Sequence, residues 1–173
     1  MSAFDANTAL YLNQFKLLIT NDAGVTREDR TLPETILVPN DVIALSLRSA
    51  EEGYLFDASG NLYQTEDGAK SWSLLTTLDL SQFGELKMMP QRGLPVAAVR
   101  FFDADNGLLV LSLAGGGANK VVALRTSDGG QTWSEEAVPG QFGIPFISRD
   151  GQFITVTSII RSGEVQVFQY TGD

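Results

Sequence analysis

Thr126-Ser127-Asp128-Gly129-Gly130-Gln131-Thr132-Trp133 has a close copy earlier in the chain, Thr65-Glu66-Asp67-Gly68-Ala69-Lys70-Ser71-Trp72. Both satisfy Ser/Thr-x-Asp-Gly-Gly/Ala-x-Ser/Thr-Trp. A degenerate copy, Thr20-Asn21-Asp22-Ala23-Gly24-Val25-Thr26-Arg27, keeps Thr, Asp, Gly and Thr but carries Arg27 at the Trp position. Thr171-Gly172-Asp173 matches the opening positions of a fourth. Successive copies start 45, 61 and 45 residues apart. A period of about 45 residues suits a four-stranded propeller blade.

The flanks read as strands. Short apolar runs precede the two strong boxes (Leu62-Tyr63-Gln64 and Val121-Val122-Ala123-Leu124) and others follow them (Trp72-Ser73-Leu74-Leu75 and Trp133 to Val138). Upstream of each lie two more runs joined by a turn. In the middle unit these are Val42 to Leu47 and Gly53 to Phe56; in the next they are Val96 to Phe102 and Gly107 to Leu111. Beta-branched and aromatic residues broken by Gly, Asp and Asn are the strand-and-turn signal. Each unit therefore reads strand A, strand B, strand C, box, strand D. The first unit shows no strand A. It opens with Ala9-Leu10-Tyr11-Leu12 and Phe15 to Ile19, and residues 5–19 also fit one amphipathic helix capped by Asp5. Strands are preferred because a box follows. The expected units run over about 9–40, 41–78, 95–138 and 142–173 of a single domain, with 79–94 an inserted linker.

The box has a physical purpose. Its Asp accepts hydrogen bonds from backbone N–H groups of its own turn. Its glycines supply positive φ. Its Trp opens the next strand with a large apolar face that can be buried between blades. Thr20, Asp22, Gly24, Thr65, Asp67, Gly68, Trp72, Thr126, Asp128, Gly129, Gly130 and Trp133 are accordingly expected to be structural.

On these residues the chain resembles the Asp-box, or BNR-repeat, proteins: sialidases, other glycoside hydrolases, sortilin-type receptors and photosystem II stability/assembly factors. The longer string from Val99-Arg100-Phe101-Phe102 through Leu108-Leu109-Val110 to Thr126–Trp133 is most similar to the assembly-factor type of repeat. The resemblance covers residues 41–138 well and both ends weakly. It implies an all-β propeller-like stack of three to three and a half blades. It says little of function, which varies across folds of one kind. Asp-box proteins are often exported, which makes an extracytoplasmic location the expectation.

Composition narrows the chemistry. The 173 residues hold 21 Asp and Glu against 12 Lys and Arg, a net charge of −9, with no His and no Cys. There is no thiol nucleophile, no Cys-based zinc site and no Ser-His-Asp triad. The acidic balance opposes sequence-independent nucleic-acid binding. No apolar run approaches the roughly 18 residues of a membrane span. Met1-Ser2-Ala3-Phe4-Asp5 lacks the basic start and apolar stretch of a signal peptide, so either the protein is not exported or a leader has been removed.

Specific activities find little footing. Sialidases usually carry an Arg-Ile-Pro motif; the nearest string here, Gly143-Ile144-Pro145, has no Arg before it, and the chain is about half the length of such an enzyme. Glu51-Glu52 and Glu135-Glu136 are adjacent on strands and point to opposite faces, so neither forms an acid/base pair. Asp103-Ala104-Asp105-Asn106-Gly107 begins like a calcium loop, but position twelve is Ala114 rather than Glu. Gly115-Gly116-Gly117-Ala118-Asn119-Lys120 lacks the Gly-Lys-Ser/Thr ending of a phosphate loop and reads as a flexible hairpin loop. The chain is read as no enzyme, with no metal and no cofactor.

The 61-residue interval is sixteen longer than the others. Seven extra residues lie in the B–C hairpin around 115–120 and nine in the D–A connection around 79–94. In an up-and-down blade both connections emerge at the end opposite the boxes. They carry Phe83, Lys87, Met88, Met89, Arg92 and Lys120, and Arg161 sits in the corresponding hairpin of the last unit. Binding residues favour loops held by rigid scaffolds. This rim is the candidate contact for another protein or a subunit of a larger complex; the alternatives are a buried Met stripe with solvated charges, or a carbohydrate-binding or sialidase-like domain. So few blades leave unpaired edges. A fragment, a second copy completing the ring, or docking on a larger complex would each resolve that.

Overall fold

The structure, a computed structural model, describes residues 2–13, 16–36, 41–84, 87–88 (backbone), 96–115, 118–136, 138, 143–158 and 164–169. The described chain is all-β apart from short 3-10 turns and forms four antiparallel sheets. It divides into two compact units, 1–78 and 79–173, each holding two sheets.

In the first unit, sheet I takes β1 (Ser2–Ala3), β2 (Ala9–Leu12), β3 (Leu17–Thr20) and β4 (Glu28–Arg30) in chain order. Sheet II takes β5 (Val42–Leu47), β6 (Gly53–Asp57), β7 (Asn61–Thr65) and β8 (Ser73–Thr77). The first unit thus has a strand A after all, the two-residue β1, whose Ser2 pairs with Leu10. A segment that short carries no periodicity to read. Residues 9–12 and 17–20 form strands, not a helix.

In the second unit, sheet III takes β10 (Ala97–Phe101), β11 (Gly107–Gly115), β12 (Ala118–Thr126) and β13 (Ser134–Glu136), with β9 (Lys87–Met88) pairing onto β11. Sheet IV takes β14 (Gly143–Ile147), β15 (Phe153–Ser158) and β16 (Val165–Gln169). Positions 171–173 lie outside the described residues.

Strand chemistry grades across each sheet. β6 and the first seven residues of β11 are buried throughout. Their near-continuous apolar runs suit strands covered on both faces. The fourth strands of sheets I and III are polar and largely exposed: Glu-Asp-Arg in β4 and Ser-Glu-Glu in β13. Charged residues on a last strand discourage pairing with other chains. Within the first unit, Leu10, Leu17 and Ile19 of sheet I pack on Leu47 and Ala69 of the sheet II unit. Within the second, Leu108, Val110, Val121 and Ala123 of sheet III pack on Ile147, Ile154 and Val156 of sheet IV.

Candidate functional site

The three box turns are built alike. The Thr hydroxyl at position one donates to the Asp carboxylate at position three: Thr20 to Asp22 at 2.9 Å, Thr65 to Asp67 at 2.9 Å, Thr126 to Asp128 at 2.8 Å. The same hydroxyl accepts the N–H of position five, from Gly24, Ala69 and Gly130 at 2.8, 2.9 and 2.8 Å. The carboxylate then accepts both the N–H and the hydroxyl of position seven. The hydroxyl bonds are 2.6 Å from Thr26, 2.6 Å from Ser71 and 2.5 Å from Thr132. Positions four and five both have positive φ in every copy, including Ala23 (59°) and Ala69 (65°). A final bond latches each box to the A–B turn of its own sheet. The N–H of Ala23 donates to Asn7 O, that of Gly68 to Glu51 O and that of Gly129 to Asp105 O, at 2.9, 2.8 and 2.8 Å.

This geometry fixes the electrostatics. Hydrogen bonds from the Ser71 hydroxyl, then the Ser71 N–H, hold Asp67 at about 2, below the ordinary 3.8. Thr132 does the same for Asp128, also at about 2. Asp22 is lowered, first by the Thr26 hydroxyl. Donors aimed at the ionised form favour it. These carboxylates are therefore charged and occupied at neutral pH, which suits turn anchors and does not suit proton transfer.

The two indoles part company. Trp72 donates from Nε1 to Thr31 O at 2.9 Å and packs against two buried clusters, Leu10–Leu17–Ile19–Leu47–Ala69 and Ile36–Leu55–Tyr63. Trp133 instead donates to Gly130 O of its own turn at 3.0 Å. Its ring meets Phe101 edge-on, with centroids 6.0 Å apart. The reason lies before the second box. There Arg30 Nε donates to Gly68 O at 2.7 Å, and the Thr31 N–H and hydroxyl reach Ala69 O and Lys70 O. The second box is clasped by the segment after β4, so its indole turns to Thr31. The first box keeps its turn bonds with Arg27 in the Trp position, so the turn does not require the Trp.

At the other end of sheet III the two insertions meet. The D–A connection forms a 3-10 turn, Leu80–Phe83, capped by Asp79, whose Oδ1 accepts the Ser81 N–H at 2.9 Å. It then lays β9 on β11, Met88 opposite Leu113 and Lys87 opposite Ala114. The stretch expected as a flexible hairpin loop belongs to a hairpin whose arms reach Gly115 and Ala118, paired with each other, so 118–120 are strand rather than loop; 116–117 lie outside the described residues. Lys120 Nζ stands 5.7 Å from the Phe83 ring centroid and donates to Glu135 Oε1 at 2.5 Å. Phe83 is only 9% exposed, so its ring is a support beneath Lys120. Met89, Arg92 and Arg161 lie outside the described residues.

Two clusters went unread in the sequence. Arg100, on β10, is lowered by burial and by the like charge of Arg149 in the A–B turn of sheet IV. The two arginines are far apart in the chain, and only the packing of β10 beside β14 brings them near. Asp57 is buried and accepts from the N–H groups of Ser59 and Asn61 at 2.8 and 2.9 Å, and from the Tyr63 hydroxyl at 3.4 Å. Tyr63 shares a 2.6 Å bond with Thr35. The string Asp57-Ala58-Ser59-Gly60-Asn61 marks this turn. Its Tyr–carboxylate pair is closed off from solvent and serves the hairpin. Among the described residues no group of three His, Cys, Asp or Glu is placed to hold a metal ion, and no helix is long and apolar enough to cross a membrane.

No protein-family model matches the sequence, and no curated protein is significantly similar to it. Solved structures are similar. YCF48 bound to D1 peptide superposes with a TM-score of 0.65 at 20% identity, over 99% of this chain and 50% of that one. A GH74 enzyme from Niastella koreensis superposes with a TM-score of 0.57 at 15% identity, over 96% of this chain and 27% of that one. This chain spans half the length of the first and about a quarter of the second. What it shares with both, at these identities, is the β-propeller fold.

Proposed function

We propose that the chain is a non-enzymatic protein-binding module of the Asp-box type, of the kind that serves assembly of a larger complex. The observation that carries the reading is the ledge at the end of sheet III, where β9 pairs with β11 and Phe83 supports Lys120. Both insertions contribute to it. A chain that lengthens two separate connections and then bonds them together has built a surface, and rigid surfaces beside sheet ends are where partners bind. The fold neighbour named above holds a peptide; since Lys120 is paired with Glu135, the sequence leaves Lys87, Arg92 and Arg161 to supply the positive charge by which this rim of an acidic protein would select an extended acidic segment. Lys87, Met88, Met89, Arg92 and Arg161 complete the proposed contact. An extracytoplasmic location belongs to the same proposal.

A specific observation favours a second contact at the box end of the second unit. Arg100 and Arg149 are like charges held close enough to disfavour each other, an arrangement that an anionic group relieves. The test is binding of the native partner, or of an array of acidic peptides, to four proteins: wild type, Lys120→Glu, Phe83→Ala and Arg100→Glu. Loss of binding in the first two variants supports the ledge. Loss in Arg100→Glu alone moves the contact to the box end. A glycan array and a glycosidase assay run beside it; turnover or a defined sugar ligand would replace this reading with a carbohydrate-active one.

A further inference from the structure

At the box end of the second unit, the A–B turn of sheet IV is pressed against sheet III. Arg100 pairs with Leu108, and Leu108 with Arg125. Directly paired residues share a face. Leu108 packs with Ile147 and Ile154, so Arg100 stands on the face of sheet III turned toward sheet IV. Two residues beyond Arg100, the Phe102 ring lies against Gly151. A methyl group at that glycine would stand 2.5 Å from Phe102 Cζ. Arg149 lies between these two contacts, two residues after Ile147 and two before Gly151. It is thereby held beside Arg100, which feels its like charge. Arg100 is half-buried and Arg149 is exposed, so the pair opens to solvent on one side.

Three other arginines are answered by carboxylates: Arg30 by Glu28, Arg48 by Glu52 and Arg125 by Glu136. Among the described residues neither the Arg100 nor the Arg149 guanidinium has such a partner. The carboxylates of the adjoining turns are engaged in their own turns. Asp150 Oδ1 accepts the Ser148 hydroxyl at 2.6 Å and the Gln152 N–H at 3.0 Å. Asp103 Oδ1 accepts the N–H groups of Asp105 and Asn106 at 2.8 and 2.7 Å. Asp128 is taken by Thr126 and Thr132. In a chain of net charge −9, two neighbouring cations are left without an anion.

We infer that Arg100 and Arg149 bind a phosphate group, inorganic phosphate or a phosphomonoester, held as the dianion between their guanidiniums. A single carboxylate would answer one of the two charges. A phosphate carries about −1.5 to −2 at neutral pH and offers three strong acceptor oxygens, which two guanidinium forks can share. The Phe102–Gly151 contact fixes the backbone from which both side chains leave, so their spacing is set before the ligand arrives. The inference rests on the box-end contact named above, takes it from charge to ligand class, and does not involve the ledge.

Calorimetric titration with inorganic phosphate tests it. Wild type should bind phosphate at least about 10-fold more tightly than acetate, the scale of a charge-assisted hydrogen bond. Arg100→Gln and Arg149→Gln should each raise the dissociation constant for phosphate by at least about 10-fold. Arg149→Gln, on an exposed turn, carries the test should Arg100→Gln misfold. Arg27→Gln, an exposed arginine of the first unit, should change nothing. Phosphate affinity should rise as pH passes through about 6, where the ligand gains its second charge, while sulfate affinity stays flat. The charged groups of the surrounding elements are Arg125, Glu136, Asp103, Asp105, Asp128 and Asp150, with no His, the side chain whose ordinary titration falls in that range. A short phosphoserine peptide and its unphosphorylated form separate the sources. Tighter binding of the phosphopeptide than of inorganic phosphate assigns the site to a phosphorylated segment; equal or weaker binding assigns it to the free anion. No phosphate binding by wild type, acetate or the unphosphorylated peptide binding as tightly, an affinity unmoved by pH, or an Arg149→Gln that binds as wild type would each overturn the inference. Phe83→Ala should leave phosphate binding unchanged, so this site and the ledge fail separately.

Discussion

At the scale of single residues, the box turns convert side-chain identity into backbone geometry. A carboxylate receiving an N–H and a hydroxyl, beside a hydroxyl receiving another N–H, leaves few alternatives to Asp and Thr. That is why Thr20, Asp22, Thr65, Asp67, Thr126 and Asp128 were legible before any coordinates. Lowered carboxylate values also set a pH dependence. A group titrating lower when folded stabilises the fold above its unfolded value and ceases to do so as pH falls through its folded value. Stability should therefore drop between about pH 4 and about pH 2, the interval separating 3.8 from about 2 at Asp67 and Asp128. Urea midpoints should show Asp67→Asn and Asp128→Asn weaker than wild type at pH 7, with the gap closing through that interval. The positive φ values make a second prediction. Left-handed backbone costs a non-glycine residue about 1–2 kcal/mol, partly offset by the flexibility glycine loses on folding. Ala23→Gly should stabilise by about 1 kcal/mol, a rise in Tm of about 2–4 °C. Ala69→Gly should be near neutral, because the fully buried Ala69 methyl contributes about 0.8 kcal/mol in the other direction.

At the scale of elements, legibility followed length and periodicity. β5 to β8 and β10 to β12 carry enough apolar alternation to declare themselves. The two-residue β1 and β9 do not; only their partners define them, Leu10 for Ser2 and Leu113 for Met88. The ledge was half visible. Counting insertions located Phe83 and Lys120 on it, but not that Phe83 is buried and that Glu135 takes the Lys120 charge. The Lys120–Glu135 contact depends on β12 and β13 lying side by side. Arg30 escaped notice because its partner, Gly68 O, is an atom of the backbone, which sequence patterns do not register. The grading of strands yields its own test. Leu109, fully buried in β11, should cost about 2–5 kcal/mol when changed to Ala. Leu74, 58% exposed in β8, should stay within about 0.5 kcal/mol. Equal losses in thermal denaturation would mean that β8 is covered in solution.

At the scale of the molecule, four sheets of one design occupy two units. The repeat in the sequence predicted antiparallel sheets of this design, because each box sits at the same place between two paired strands. The latch from box to A–B turn has a consequence for how such a chain can be altered. Three carbonyls, those of Asn7, Glu51 and Asp105, are committed to box N–H groups. An added residue at that end would pull donor and acceptor out of line in its sheet. At the opposite end of sheet III the chain has already absorbed sixteen additional residues. Grafted epitopes, reporter peptides or fusion partners therefore belong in the β11–β12 hairpin or between Leu78 and Val96, where the scaffold has shown that it can carry cargo.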